Sequence, residues 1–89
     1  MQYMNSNVNI EIENFQPYLR TCKLPIITIY KKPIDFSTSY VARLWDITRW
    51  TPYIFKAPTL DDVRKSIPAH LTRLERKWDD DPHIIETWI

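Results

Sequence analysis

Not one of the 89 residues is glycine. Average usage of about 7% would supply about 6 in a chain of this length. Glycine is the residue that enters left-handed backbone without steric cost and lets a backbone approach a ligand closely. A chain without it cannot build a Walker phosphate loop, a GxGxxG dinucleotide turn or a GxSxG nucleophile elbow. Its turns fall instead to Asn, Asp, Ser and Pro, which cluster at residues 5–7, 35–39 and 79–82. Phosphate-cradling and elbow-hydrolase chemistry are excluded on this ground.

A chain of 89 residues makes one domain, burying roughly 60% of its unfolded surface. Four Trp, five Tyr and three Phe supply the bulk for such a core. There is no apolar run of 18 residues to cross a membrane, and MQYMNSNVNIEIENF lacks the basic start and apolar stretch of a signal peptide. Cys22 is alone and reads as a small hydrophobe, which fits a reducing, cytoplasmic setting. The formal net charge of +1 is unevenly spread: −2 over residues 1–19, +5 over 20–58 and −2 over 59–89. A middle segment at +5 could draw a polyanion, but it also suits the solvent face of a sheet.

Val8, Ile10 and Ile12 alternate with polar residues, the period of a half-buried strand. The segment between Pro17 and Pro25 is a connector with room for one helical turn. Residues 26–30 are β-branched and aromatic and predict a strand that ends at Lys31, Lys32 and Pro33. In residues 40–46, Tyr40, Ala42 and Leu44 share one face and Val41, Arg43 and Trp45 the other. Both faces are apolar enough to place this strand in the interior of a sheet. Residues 47–51 predict a hairpin loop, longer than an Asn-Gly turn because no glycine is present, and 52–57 the next strand. Thr59, Leu60, Asp61 and Asp62 then form a variant capping box, in which the Thr59 side chain accepts from the Asp62 amide. Leu60, Val63 and Ile67 line one helical face, and Pro68 stops or kinks the helix. After Pro68 two readings stand. Ile67, Leu71, Leu74 and Trp78 continue a helical period, whereas the proline favours an extended segment. Residues 83–89 read as a closing strand.

The expected fold is therefore α+β: a small antiparallel sheet of four to five strands covered on one face by one short helix at about 59–67. The whole of 1–89 is expected to form a single domain, with 1–23 as an N-terminal extension carrying an added strand and 24–89 as the core. A chain that stops in a strand offers that strand as an edge for a partner or a second copy.

Few residues suggest chemistry. Asp79, Asp80, Asp81 and His83 are the weak candidates for a metal, since hard cations want several carboxylate oxygens. A turn built without glycine explains them better. His70 and His83 are the candidate acid–base groups, but Ser37, Ser39 and Ser66 have no neighbouring base and no oxyanion site that the sequence reveals. No catalytic residue and no cofactor is assigned. Aromatic and basic residues do interleave, at Tyr30, Lys31 and Lys32, at Arg43 and Trp45, and at Phe55 and Lys56. Rings beside cations are how single strands of nucleic acid are held, so Lys31, Lys32, Arg43 and Lys56 form the nucleic-acid alternative. Trp50, between Arg49 and Thr51 in the expected loop, is where a core role is hardest to arrange, and a Trp–Arg pair has the composition of an interface hot spot.

From about residue 24 onward the chain resembles a family of small bacterial and phage α+β proteins of unknown function. The residues that carry this are YVARLWD at 40–46, Thr51, Pro52 and Tyr53, APTLDDVRKSIP at 57–68, Leu71, Arg73 and Leu74, and DDPHIIETWI at 80–89. The resemblance implies a compact α+β fold, a phage or mobile-element setting and an extended stretch after Pro68, and it brings no activity. In topology the chain is also similar to HicB-like antitoxins, in which strands, a Thr-Leu-Asp-Asp helix start and a further strand make a sheet that covers a small ribonuclease.

The reading that follows is a cytoplasmic, non-enzymatic domain that binds another protein through a sheet edge and an aromatic loop, with Arg49, Trp50 and Trp88 as the contact residues. The alternatives are a single-strand nucleic-acid module or a HicB-like antitoxin and, more distantly, a small nuclease. No membrane partner is expected, and self-association would run through the C-terminal strand.

Overall fold

A computed structural model describes residues 9–33, 36–75 and 83–89. Its framework is an antiparallel meander of three strands, β2 (Pro25–Lys31), β3 (Tyr40–Asp46) and β4 (Arg49–Ala57). Their β-branched and aromatic content suits a pleated surface packed on both faces. Three short strands extend it: β1 (Ile10–Glu11), β5 (Arg73–Leu74) and β6 (Ile84–Trp88). The sheet order is β1-β4-β3-β2-β6-β5.

The expected class holds, but the sheet has six strands where four to five were expected. It is also not wholly antiparallel, since β1 runs parallel to β4, with Ile10 opposite Tyr53 and Glu11 opposite Ile54. The sixth strand is β5, which takes the extended alternative after Pro68; Trp78 lies outside the described residues. β5 pairs with β6, and beyond the pairing Thr72 and Ile89 exchange both backbone hydrogen bonds, at 2.6 and 2.9 Å. The C-terminal strand is therefore not the open edge expected of it. It lies between β2 and β5, and the edge strands are β1 and β5, each two residues long and each bearing an exposed charge (Glu11, Arg73). Short, charged edges resist further strand pairing.

Among the described residues two short helices cover one face, where one was expected. α1 (Gln16–Leu19) begins after Asn14, whose side-chain oxygen accepts from the Gln16 amide at 3.1 Å, and it has a proline in its first turn. α2 (Leu60–Arg64) starts on the predicted cap: Thr59 Oγ1 accepts from the Asp62 amide at 3.2 Å. It is shorter than 59–67. The Ser66 hydroxyl donates to the Val63 carbonyl at 2.6 Å, the amides of Ser66 and Ile67 reach back three residues, and Pro68 has no amide with which to continue.

Beneath the helices Phe15, Leu19, Ile27, Ile29, Ala42, Leu44, Ala57, Val63 and Leu71 form the main core. The opposite face holds a second cluster of Tyr30, Val41 and Ile54, with Phe36 and Ile84 packed against it. Arg43 lies among the buried residues of that second face, at 5% exposure. No helix among the described residues is long and apolar enough to cross a membrane.

Candidate functional site

The β3–β4 hairpin closes more tightly than expected. Asp46 pairs with Arg49, so only residues 47 and 48 connect the strands, and Trp50 lies in β4 rather than in a loop. Two features make this short turn work without glycine. Asp46 Oδ1 accepts from the amides of Lys23 and Leu24 at 3.0 and 3.1 Å, tying the turn to the start of β2. Ile47 takes φ 58°, and its amide donates to the Leu24 carbonyl at 3.0 Å. A β-branched residue in left-handed backbone is strained.

Just beyond, β4 bulges. Arg43 faces Ile54 and Trp45 faces Trp50, so Thr51, Pro52 and Tyr53 stand opposite Leu44 alone. Pro52 has no amide for the ladder. Thr51 fills the gap, its hydroxyl donating to the Leu44 carbonyl at 2.7 Å and accepting from the Tyr53 amide at 3.3 Å. The sequence held this signal in a proline inside a strand run, and the bulge at Thr51-Pro52 shifts the register so that Trp50 stands opposite Trp45.

There Ile26, Trp45 and Trp50 form a cross-strand row over β2, β3 and β4. Arg43, two residues before Trp45 on the same face, reaches over the bulge. Its guanidinium donates to the Thr51 carbonyl and to Asn9 Oδ1, and it lies 5.3 Å from the centre of the Trp50 ring. Desolvation lowers the Arg43 pKa from its ordinary value. The interaction with Tyr30 partly offsets this, and Arg43 makes no salt bridge among the described residues. The Trp50 ring is thus held from beneath by a fixed cation while the residue remains 52% exposed. Leu24 and Ile47, joined backbone to backbone, are each 50% exposed at the same end of the sheet. Two donors, Trp45 Nε1 and Asn9 Nδ2, are buried with no acceptor among the described residues.

Comparison with protein-family models, with curated protein sequences and with solved structures finds no match to this chain. The residues themselves must carry the reading.

Of the interaction candidates, Arg49 and Trp50 are adjacent and exposed at this hairpin. Trp88 is elsewhere and committed: it is half-buried against the main core, and its indole donates to Glu86 Oε1 at 3.3 Å. Glu86, 4% exposed, also accepts from Arg64 on α2 and from Arg73 on β5. Burial alone would raise its carboxyl pKa, but these hydrogen bonds outweigh it and hold the group below its ordinary value.

The nucleic-acid candidates are split. Lys31 and Lys32 are exposed at the far end of β2, with Lys31 paired to Tyr40. Lys56 is engaged by Glu11 at 3.6 Å and lies 5.2 Å from the Phe36 ring centre, while Arg43 is buried as described. These four residues make no continuous cationic track. The metal candidates Asp79, Asp80 and Asp81 lie outside the described residues, and the backbone carbonyl of His83 accepts from the Lys31 amide at 2.6 Å. Among the described residues no group of three His, Cys, Asp or Glu is placed to hold a metal. His70 is exposed in the turn after Pro68. Cys22 is half-buried; desolvation raises its thiol pKa, the Asp46 charge adds to this, and the Thr21 hydroxyl partly offsets it.

The sequence reading missed Leu24, Ile47 and Asn9. A leucine before a proline and an isoleucine in a turn carry no distinctive pattern. Asn9 acquires its role only through the parallel pairing of β1.

Proposed function

We propose that this chain is a non-enzymatic, cytoplasmic interaction domain that binds another protein through the Trp50 end of its sheet. The observation that carries this reading is a half-exposed tryptophan held by a buried arginine. An exposed Trp normally loses rotamer freedom when it is bound. Trp50 is already fixed on one side by Arg43 and by its cross-strand neighbour Trp45, so less ordering remains to oppose association. Leu24 and Ile47, half-exposed at the same end of the sheet, supply apolar surface there, whereas strand alternation puts Arg49, paired with Asp46, on the opposite face from Trp50. The two-residue edge strands favour this side-chain surface over strand addition as the binding route.

The test is affinity capture by the tagged full chain from its source cells, with Trp50→Ala and Lys31→Ala in parallel. A protein retained by the wild type and by Lys31→Ala should be lost with Trp50→Ala. A hot-spot tryptophan contributes about 2 kcal/mol or more, roughly a 30-fold weakening. Circular dichroism on the same Trp50→Ala sample should show a folded domain. Capture that survives the substitution, or a variant that unfolds, defeats the reading.

A further inference from the structure

The cross-strand row of the second face does not end at β2. Ile27 faces Trp88, so Ile26 stands opposite Ile89, which exchanges both backbone hydrogen bonds with Thr72. Trp50, Trp45, Ile26, Ile89 and Thr72 thus form one row, from β4 across the sheet to the β5 side. Four strand spacings make it about 19 Å long. The row beside it holds Ile54, Arg43, Thr28, Thr87 and Leu74.

The charge on these two rows is unusual for the chain. Overall 26% of its residues are charged, yet only Arg43 is charged here, and it is buried at 5% exposure. Both described helices pack on the other face, α1 through Leu19 and α2 through Val63. On the second face Tyr30, Val41 and Ile54 are buried, so its open part is the end that carries the first row. There Trp50, Ile89, Leu74, Leu24 and Ile47 are each between 43% and 52% exposed. Together they leave roughly 400–500 Å² of apolar surface, a patch of the size that marks an interaction site.

The first row is also graded in bulk, from two tryptophans at one end to a threonine at the other. A two-fold axis along β2 would lay this row on its own copy in reverse. Trp50 then meets Thr72 of the second copy, Trp45 meets Ile89, and Ile26 meets Ile26. Large faces small along the row, which is what a self-complementary, isologous contact requires. We infer that this face packs sheet on sheet against a second copy of the chain about such an axis. The inference rests on the protein-binding reading of the Trp50 end and names its occupant. Two copies meet there with no exposed charge on either row, so neither repulsion nor ion desolvation opposes them. A charged partner would find no counter-charge. A specific interface takes roughly 600–1,000 Å² a side, and the patch with its threonine rim reaches the lower bound. The dimer is therefore weak and reversible.

Sedimentation equilibrium of the full chain, run from about 5 µM to about 1 mM, tests this. The wild type and Lys31→Ala should show a monomer–dimer equilibrium with a Kd of about 100 µM or tighter. Trp50→Thr and Thr72→Trp should each weaken it at least about tenfold, the first by removing bulk and the second by meeting Trp50 with bulk. The variant carrying both exchanges restores large against small and should return to within about threefold of the wild type. Ile89→Asp, at an exposed position, sets a carboxylate against Trp45 of the second copy and should abolish the dimer. Circular dichroism checks each variant, and Ile89→Asp decides the matter should Trp50→Thr fail to fold. A wild type monomeric at about 1 mM, a dimer that Ile89→Asp leaves intact, or an exchanged pair no tighter than its single variants overturns the inference. Failure here is separable from failure of the underlying reading. A monomeric chain that still loses a captured protein with Trp50→Ala leaves protein binding standing and removes the second copy as occupant. A monomeric chain whose capture is indifferent to Trp50 removes both.

Discussion

Replacing Arg43 removes, in one substitution, two charge-assisted hydrogen bonds and the cation beneath Trp50. Hydrogen bonds to a charged group contribute about 1.5–3 kcal/mol each and an exposed cation–π contact about 0.5–1. Together they favour the native residue by about 4–7 kcal/mol. Against this stands the cost of holding a guanidinium at 5% exposure with no carboxylate, several kcal/mol in proteins. The two nearly cancel, so Arg43→Met, which keeps most of the side-chain volume, should cost only about 1–2 kcal/mol. Arg43→Ala also opens a cavity and should cost about 3–5 kcal/mol. Arg43→Lys keeps the charge, but its single ammonium cannot fork to both the Thr51 carbonyl and Asn9, so it should fall between them at about 2–3 kcal/mol. For a domain of this size each kcal/mol moves the midpoint by about 4–8 °C. Urea and thermal unfolding, read by tryptophan fluorescence and far-UV circular dichroism, resolve that order. Lysine tolerated better than methionine would refute the reasoning, since the charge itself rather than the forked geometry and packing would then be what the fold requires.

Relieving the strained turn should stabilise the protein: Ile47→Asn is expected to raise stability by about 0.5–1 kcal/mol in the same urea assay, because Asn tolerates left-handed backbone. Glu86→Gln should cost about 2–3 kcal/mol at pH 7, at or below the low end for a buried pair because Arg64 and Arg73 can rehydrate. The folded Glu86 carboxyl lies below its unfolded value, so its contribution is full above that unfolded value of about 4.3 and is lost as pH falls through the lower folded one. Acid titration of stability should therefore be shallower below about pH 4 in Glu86→Gln than in the wild type. Thr59→Ala should cost about 1 kcal/mol by thermal melt, through loss of the helix cap alone.

The parts of this fold that announce themselves are those where one local rule acts alone. Residues 40–46 have apolar bulk on both faces and form an interior strand with those bounds. Thr59 caps α2 as its spacing requires, the helix places Leu60 and Val63 on the core, and Ile67 reaches it from the turn beyond. The pairing partners of β5 and β1 were hidden, because they depend on chain distant in sequence. The alternation of Val8, Ile10 and Ile12 and the proline at 68 signal extended chain, but not which longer neighbour presents each segment with a free ladder. Trp50 was recognisable as an aromatic beside an arginine in sequence, but the cation that holds it is Arg43, seven positions away and brought there by the bulge. Trp88 misled for the opposite reason. Its partner Glu86 is two residues away on the same strand, and the arginines that bury the pair come from α2 and β5.

The missing glycines bear on the site through the turns. Two described non-glycine residues have positive φ, Lys32 at 47° and Ile47 at 58°, one just past the end of β2 and the other at the β3–β4 turn. A left-handed residue of this kind costs about 1–2 kcal/mol, which glycine would not incur. Lys32 is long and unbranched and leaves its end of the sheet charged. Ile47 is β-branched, where the strain is greatest, and its side chain stands half-exposed beside Leu24. Asn, Asp or Gly would relieve the turn but would remove an exposed apolar side chain at the Trp50 end of the sheet. Strain kept at a turn where a polar residue would fold better is accounted for when the side chain is needed outside the fold. That makes Ile47→Asn a paired test: if the variant gains stability and also weakens capture of the Trp50-dependent partner, the strain is retained for binding. If it gains stability and captures equally well, Ile47 has no part in the docking surface, and Trp50 and Leu24 must supply the apolar contact without it.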